Sequence, residues 1–121
     1  MSGNKILLDT NAVLYLLGGK LSPRQIPKGF YVISFVSELE LLSYPNLTEI
    51  DEKSIKKFLT DVEIIDVTPE IKRQTITMRK QYNLKLPDAI ICATALSSNA
   101  LLVTFDKSLR KVTEVNILIP S

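Results

Sequence analysis

The sequence predicts a three-layer α/β/α domain on a central, mainly parallel sheet. Three observations predict it: short apolar runs recur along the chain, segments of helical length separate them, and two runs are apolar without alternation, as strands buried on both faces are. The first such run is "KILL" (Lys5–Leu8), and "NAVLYLL" (Asn11–Leu17) follows it with helical spacing. A second strand, "FYVIS" (Phe30–Ser34), leads directly into "FVSELELLSY" (Phe35–Tyr44), a second helix. "DEKSIKKFLTDV" (Asp51–Val62) carries charge on a solvated face and precedes "EIIDV" (Glu63–Val67), a third strand. "PEIKRQTITMRKQYN" (Pro69–Asn83) opens with Thr68 as cap and Pro69 in the first turn. Pro87 sits in the same way before Asp88, at the head of a helix from Asp88 to Asn99. The second doubly buried run, "ALLVTF" (Ala100–Phe105), comes next, and "NILIP" (Asn116–Pro120) is the last strand. Strands spaced by helices pair in parallel through crossovers, which makes the sheet the middle layer.

Composition bounds what such a domain can do. A chain of 121 residues without linker, repeat or low-complexity tract reads as one domain, residues 1–121, with a core large enough to need no staple. The single cysteine, Cys92, lies in "IICATAL" and reads as a small buried hydrophobe, so a reducing, cytoplasmic setting is expected. The start "MSGNKILLDT" lacks the charged head and apolar core of a secretion signal, and no apolar run reaches the length that spans a bilayer. A net charge of +2 does not announce nucleic acid by itself, and the chain has no histidine. Any chemistry therefore falls to carboxylates, hydroxyls, amines or a bound metal.

The acids stand where a parallel sheet collects ligands. Asp9 ends the first strand and Asp106 closely follows "ALLVTF"; if those strands are neighbours, both acids share the carboxyl-end rim. Asp is also a favoured helix cap, worth about 1 kcal/mol, and each of the two precedes a plausible helix. Asp88 differs, because Ile91, Cys92 and Ala95 lie on its own helical stripe and turn its carboxylate inward. A carboxylate on a buried helix needs a partner or a cation. The helix from Asp88 runs down the sheet and the strand from Ala100 runs back, so Asp88 and Asp106 return to one rim. In "ISFVSELELL", Ser37 and Glu40 also fit a capping box, and periodicity does not choose between Glu38 and Glu40 as a site acid.

Four stretches, "LLDTNAVLYLL", "ISFVSELELL", "LKLPDAIICATAL" and "LLVTFDKSL", in this order and spacing, resemble the PIN domain, and most closely the VapC-type ribonuclease toxins. They cover both ends and the middle of the chain, leaving Pro45 to Glu70 without a signature. The resemblance implies that Asp9, Glu40, Asp88 and Asp106 form an acidic, metal-binding catalytic cluster, and it selects Glu40 over Glu38. It also implies that Asn11 and Thr104 line the site and orient carboxylates or water. Some members place a further acid just beyond the last of these strands, where this chain has Ser108 and Leu109, and this bears on a second metal.

Electrostatics leads to the same place independently. Two carboxylates about 4 Å apart repel by up to ~4 kcal/mol at an effective dielectric near 20, so a cluster of four calls for a cation. Oxygen donors without His or Cys select Mg²⁺ or Mn²⁺ over zinc. The expected activity is metal-dependent endoribonucleolytic hydrolysis by water, with a 5′-phosphate and 3′-hydroxyl product implied by the resemblance. Basic residues beside the acids, Arg79, Lys80 and Lys85 ahead of Asp88, and Lys107, Arg110 and Lys111 after Asp106, are candidates for RNA phosphate contacts. No exposed aromatic series for base stacking is evident, which points to recognition by RNA shape or a local loop. The resemblance further implies a homodimer and a small antitoxin whose basic side chain can replace the metal. A haloacid-dehalogenase-type phosphatase fails because Asn11 stands where that chemistry needs a second acid. A non-catalytic PIN-like module that binds RNA or protein is the remaining alternative.

Overall fold

The computed structural model describes residues 4–121; Met1–Gly3, the head of the stretch read as no secretion signal, lie outside the described residues. In chain order the elements are β1 (Lys5–Leu8), α1 (Thr10–Leu17), a 3-10 turn (Pro23–Gln25), β2 (Phe30–Ser34), α2 (Phe35–Leu42), α3 (Glu49–Asp61), β3 (Glu63–Ile65), α4 (Pro69–Tyr82), α5 (Leu86–Ser97), β4 (Leu101–Val103), a second 3-10 helix (Lys107–Lys111) and β5 (Ile117–Leu118). The strands form one sheet in the order β3-β2-β1-β4-β5, and every pairing is parallel. The three-layer α/β/α architecture expected from the alternating pattern is therefore the one observed.

Side-chain alternation along the strands divides the core in two. Ile6, Leu8, Ile33 and Val103 pack with Ala12 and Val13 of α1, Leu41 of α2 and Ile55 of α3. Leu7, Val32 and Leu102 face the other way, onto Met78 of α4 and Ala89, Ile91, Cys92 and Ala95 of α5. Ile6, Leu7 and Leu8 are all fully buried, which explains why "KILL" shows no polar alternation.

Several element ends differ from the sequence reading, each for a local reason. Ser34, not Ser37, caps α2: its hydroxyl accepts from the Val36 amide, so Ser37 lies inside the helix and the capping box with Glu40 does not form. α5 starts at Leu86, with Lys85 as a cap that makes no side-chain bond, so Pro87 and Asp88 are both within the first turn. Its far end closes with Asn99 in the left-handed region (φ 52°), and the Ala100 amide bonds back to Ala95. That removes Ala100 from the strand. At the other end of β4, the Thr104 hydroxyl accepts from the Asp106 amide and turns the chain out of the sheet. α3 begins at Glu49, ahead of the predicted Asp51, because the Thr48 hydroxyl accepts from the Asp51 amide. Thr68 and Pro69 start α4 as predicted.

Candidate active site

The strand order creates one place where the chain leaves the sheet centre in opposite directions. From β1 it proceeds to β2 and β3 on one side, while β4 and β5 lie on the other, so the switch point falls between β1 and β4. Leu8 pairs with Val103 as the last register of these two strands. Asp9 and Thr104 are the next residues on each, and the Asp9 amide still donates to the Val103 carbonyl at 3.2 Å. The adjacency of β1 and β4 on which a common rim depended is observed.

Each acid reaches this rim on a different support. Asp9 caps α1, its Oδ1 accepting from the Ala12 amide at 2.8 Å. Asp106 caps the second 3-10 helix; its Oδ1 accepts from the Ser108 amide at 3.0 Å and from the Ser108 hydroxyl at 2.6 Å. Glu40, in the last turn of α2, accepts from the Thr10 hydroxyl of α1. Asp88 stands half-buried in the first turn of α5, above the buried Ile91, Cys92 and Ala95. A cleft of about 180 Å³ between α1, α2 and α5 is lined by Asp9, Thr10, Asn11, Glu40, Tyr44 and Ile91. A larger cavity of about 420 Å³ lies elsewhere, at the amino ends of β2 and β3 around Gly29–Tyr31 and Val62–Glu63.

The acids feel one another's charge. Burial pushes the Asp9 carboxyl above its ordinary range; the Thr104 hydroxyl and the Ala12 amide oppose this, and the charges of Asp88 and Asp106 add to it. Asp88 is raised by burial first and then by Asp106, with Lys85 pulling it down and Glu40 pushing it up. The Cys92 thiol is pushed up to about 12 by burial, reinforced by Asp88, Asp106 and Asp9. It is a packing residue, as predicted, not a nucleophile. Among the described residues, no three acidic or cysteine side chains stand close enough to hold a metal ion as placed.

The supporting residues divide. Thr104 is fully buried and bonds the Asp106 amide, while Asn11 is exposed and lines the cleft. Of the basic residues, Arg79 and Lys80 sit in the last turn of α4, and Arg79 Nε donates to the Leu84 carbonyl at 3.3 Å. Lys85 is close enough to Asp88 to favour its charged form. Lys107, Arg110 and Lys111 lie exposed on the 3-10 helix that Asp106 caps. Sequence reasoning did not find Thr10, Ser108 or Tyr44 as site residues, and gave Ser37 only a capping role. Ser108 has a local signal, since Asp-x-Ser is a common capping turn, but Thr10 meets residues 27 and 30 positions away.

Comparison with known proteins extends the geometry. Residues 6–115 match the PIN domain family. Among solved structures, the chain is similar to a toxin-antitoxin complex from Klebsiella pneumoniae, with 27% identity, a TM-score of 0.78, and 96% of this chain and 98% of that chain covered. VapBC2 from Rickettsia felis, solved bound to a promoter DNA fragment, shares the fold at 20% identity and a TM-score of 0.79, covering 94% and 97%. VapBC-1 from nontypeable Haemophilus influenzae does so at 24% and 0.75, covering 94% and 96%. No curated protein matches the chain. With the family match spanning nearly its whole length and its acids gathered at the sheet's switch point, the chain belongs to the PIN domain family.

Proposed function

We propose that the protein is a metal-dependent endoribonuclease and the toxin of a toxin-antitoxin pair. The observation that carries this reading is the convergence of Asp9, Glu40, Asp88 and Asp106 on one rim, close enough for burial and mutual charge to raise Asp9 and Asp88. All donors are oxygens and the chain has no histidine, a set that fits Mg²⁺ or Mn²⁺. These four residues would hold the cation, which when bound supplies an acidified water and charge neutralisation at a phosphodiester. The remaining groups position: Ser108 fixes Asp106, the Ala12 amide and Thr104 fix Asp9, and Asn11 stands exposed on the cleft wall, where it can bond a phosphate oxygen or water.

The exposed Arg79, Lys80, Lys85, Lys107 and Arg110, of which Lys85 acts on Asp88, would supply positive charge for the RNA backbone. The likeness to a toxin-antitoxin complex supports a small antitoxin partner. A homodimer, and a basic antitoxin side chain in the cation's place, belong to this proposal through the sequence resemblance alone. A module that binds without cutting is the rival reading; the present spacing of the acids favours it. RNA cleavage assays with Mg²⁺ or Mn²⁺, in parallel with an Asp9→Asn control purified identically, decide between them. Cleavage that needs the cation and stops in excess EDTA is expected. Cleavage at full rate in EDTA overturns the mechanism, and RNA binding with no cation-dependent cleavage favours the binding module.

A further inference from the structure

The Thr10 hydroxyl lies 3.0 Å from the Ser37 hydroxyl and also within bonding distance of Glu40 Oε1. A threonine hydroxyl has one proton, and an ionised carboxylate can only accept. The Thr10 proton therefore goes to Glu40, and the Ser37 hydroxyl donates to Thr10. Ser37 is fully buried inside α2, and no buried polar side-chain atom among the described residues lacks a partner. The chain of donors thus has one direction: Ser37 to Thr10 to Glu40.

This arrangement is more than a local bond. Thr10 is the first residue of α1, directly after Asp9, while Ser37 and Glu40 lie one helical turn apart on α2. One hydroxyl pair thereby ties the element that carries Asp9 to the element that carries Glu40. It also consumes one oxygen of Glu40 in a fixed direction, which leaves the other oxygen oriented by the same bond. Valine at position 10 has the shape of threonine without the donor, and alanine at position 37 removes the terminal donor with little change in volume.

We propose that Thr10 and Ser37 are positioning residues: a directional hydroxyl relay that holds the Glu40 carboxylate against α1 and presents it to the divalent cation. The proposal rests on the metal-dependent reading above and concerns how one ligand is aimed. Ser37 is buried and the Thr10 hydroxyl is directed at Glu40, so their loss should appear in cation affinity and kcat rather than in RNA affinity.

The test measures Mn²⁺ binding calorimetrically on the full chain, and RNA cleavage separately, for the parent, Thr10→Val, Thr10→Ser, Ser37→Ala and Glu40→Gln. Thr10→Val should weaken Mn²⁺ binding and lower kcat by about tenfold or more, the range for residues that orient metal ligands, with KM for RNA little changed. Thr10→Ser restores the donor and should recover most of both, and Ser37→Ala should fall between Thr10→Val and the parent. In the double variant Thr10→Val/Glu40→Gln, the Thr10 substitution should have almost no additional effect on Mn²⁺ binding. If Glu40→Gln weakens Mn²⁺ binding while Thr10→Val matches the parent, the relay is wrong and the metal reading stands. If neither Glu40→Gln nor Thr10→Val alters Mn²⁺ binding, the metal reading itself has failed and the relay with it. A Thr10→Val variant that Thr10→Ser does not rescue indicates a packing role and also overturns the proposal.

Discussion

At the scale of single residues, helix capping and cation binding are compatible roles for the same carboxylate. Asp9 and Asp106 both cap helices, as their sequence context suggested; Asp106 spends only Oδ1 on its cap, and Asp9 spends Oδ1 on its cap while also meeting the Thr104 hydroxyl. Glu40 is separated from Glu38 by its partner: the Thr10 hydroxyl bonds Glu40, and Asp88 feels the Glu40 charge, while Glu38 lies in the first turn of α2. Glu40→Gln should lower cation-dependent RNA cleavage by about a hundredfold or more, at or above the loss for outer residues of a metal site, and Glu38→Gln should leave most of it. Initial rates at saturating RNA measure both. The reverse ranking would show that the wrong face of α2 carries the site.

At the scale of elements, the site depends on a few close approaches that hold strand ends in register. Gly29 precedes β2, and a Cβ there would lie 2.4 Å from the Asn4 carbonyl oxygen and 3.0 Å from Ile6 Cδ1. That carbonyl accepts from the Phe30 amide at 2.8 Å, the bond that opens the β1–β2 pairing. Gly29→Ala must push backbone against backbone, so it should destabilise the fold by about 1–3 kcal/mol, as overpacking does. A lower urea midpoint with an unchanged slope is the expected result, and an unchanged midpoint would show that β2 shifts freely at its start. α5 illustrates the opposite case. It has no side-chain cap, and burial of Ala89, Ile91, Cys92, Ala93 and Ala95 holds it in place instead.

At the scale of the whole molecule, the acid rim costs stability. Asp9 and Asp88 have folded-state pKa values raised above the unfolded ones, chiefly by burial. Below about pH 4, the unfolded value, both states hold the proton and there is no penalty. As pH rises through the raised folded values, the folded state gives up protons later than the unfolded chain, so stability falls and then levels off. Asp88→Asn removes its share of that loss. In EDTA near neutral pH the variant should melt above the parent, the two should converge as pH falls toward about 4, and the variant should gain less from added Mg²⁺. Melting curves across pH, with EDTA or Mg²⁺, measure all three. A variant that melts at or below the parent in EDTA and shows the full Mg²⁺ shift would remove Asp88 from the site.

The sequence by itself determined what is encoded locally. Unalternated apolar runs specified buried parallel strands, Thr68–Pro69 specified the start of α4, and acids placed just after strands had to emerge at the carboxyl end of the sheet. The family patches then assigned Glu40, which helical periodicity could not distinguish from Glu38. The tertiary structure alone decided what depends on distant partners. Only the strand order put β1 beside β4 and so Asp9 beside Thr104. The two serines of "ISFVSELE" look equivalent as caps until the start of α2 at Phe35 gives the cap to Ser34 and leaves Ser37 facing Thr10. The reason is physical: period and capping act within one or two turns of chain, whereas the bonds that aim Asp9 and Glu40 join segments that meet only when α1 and α2 pack on the same face of the sheet.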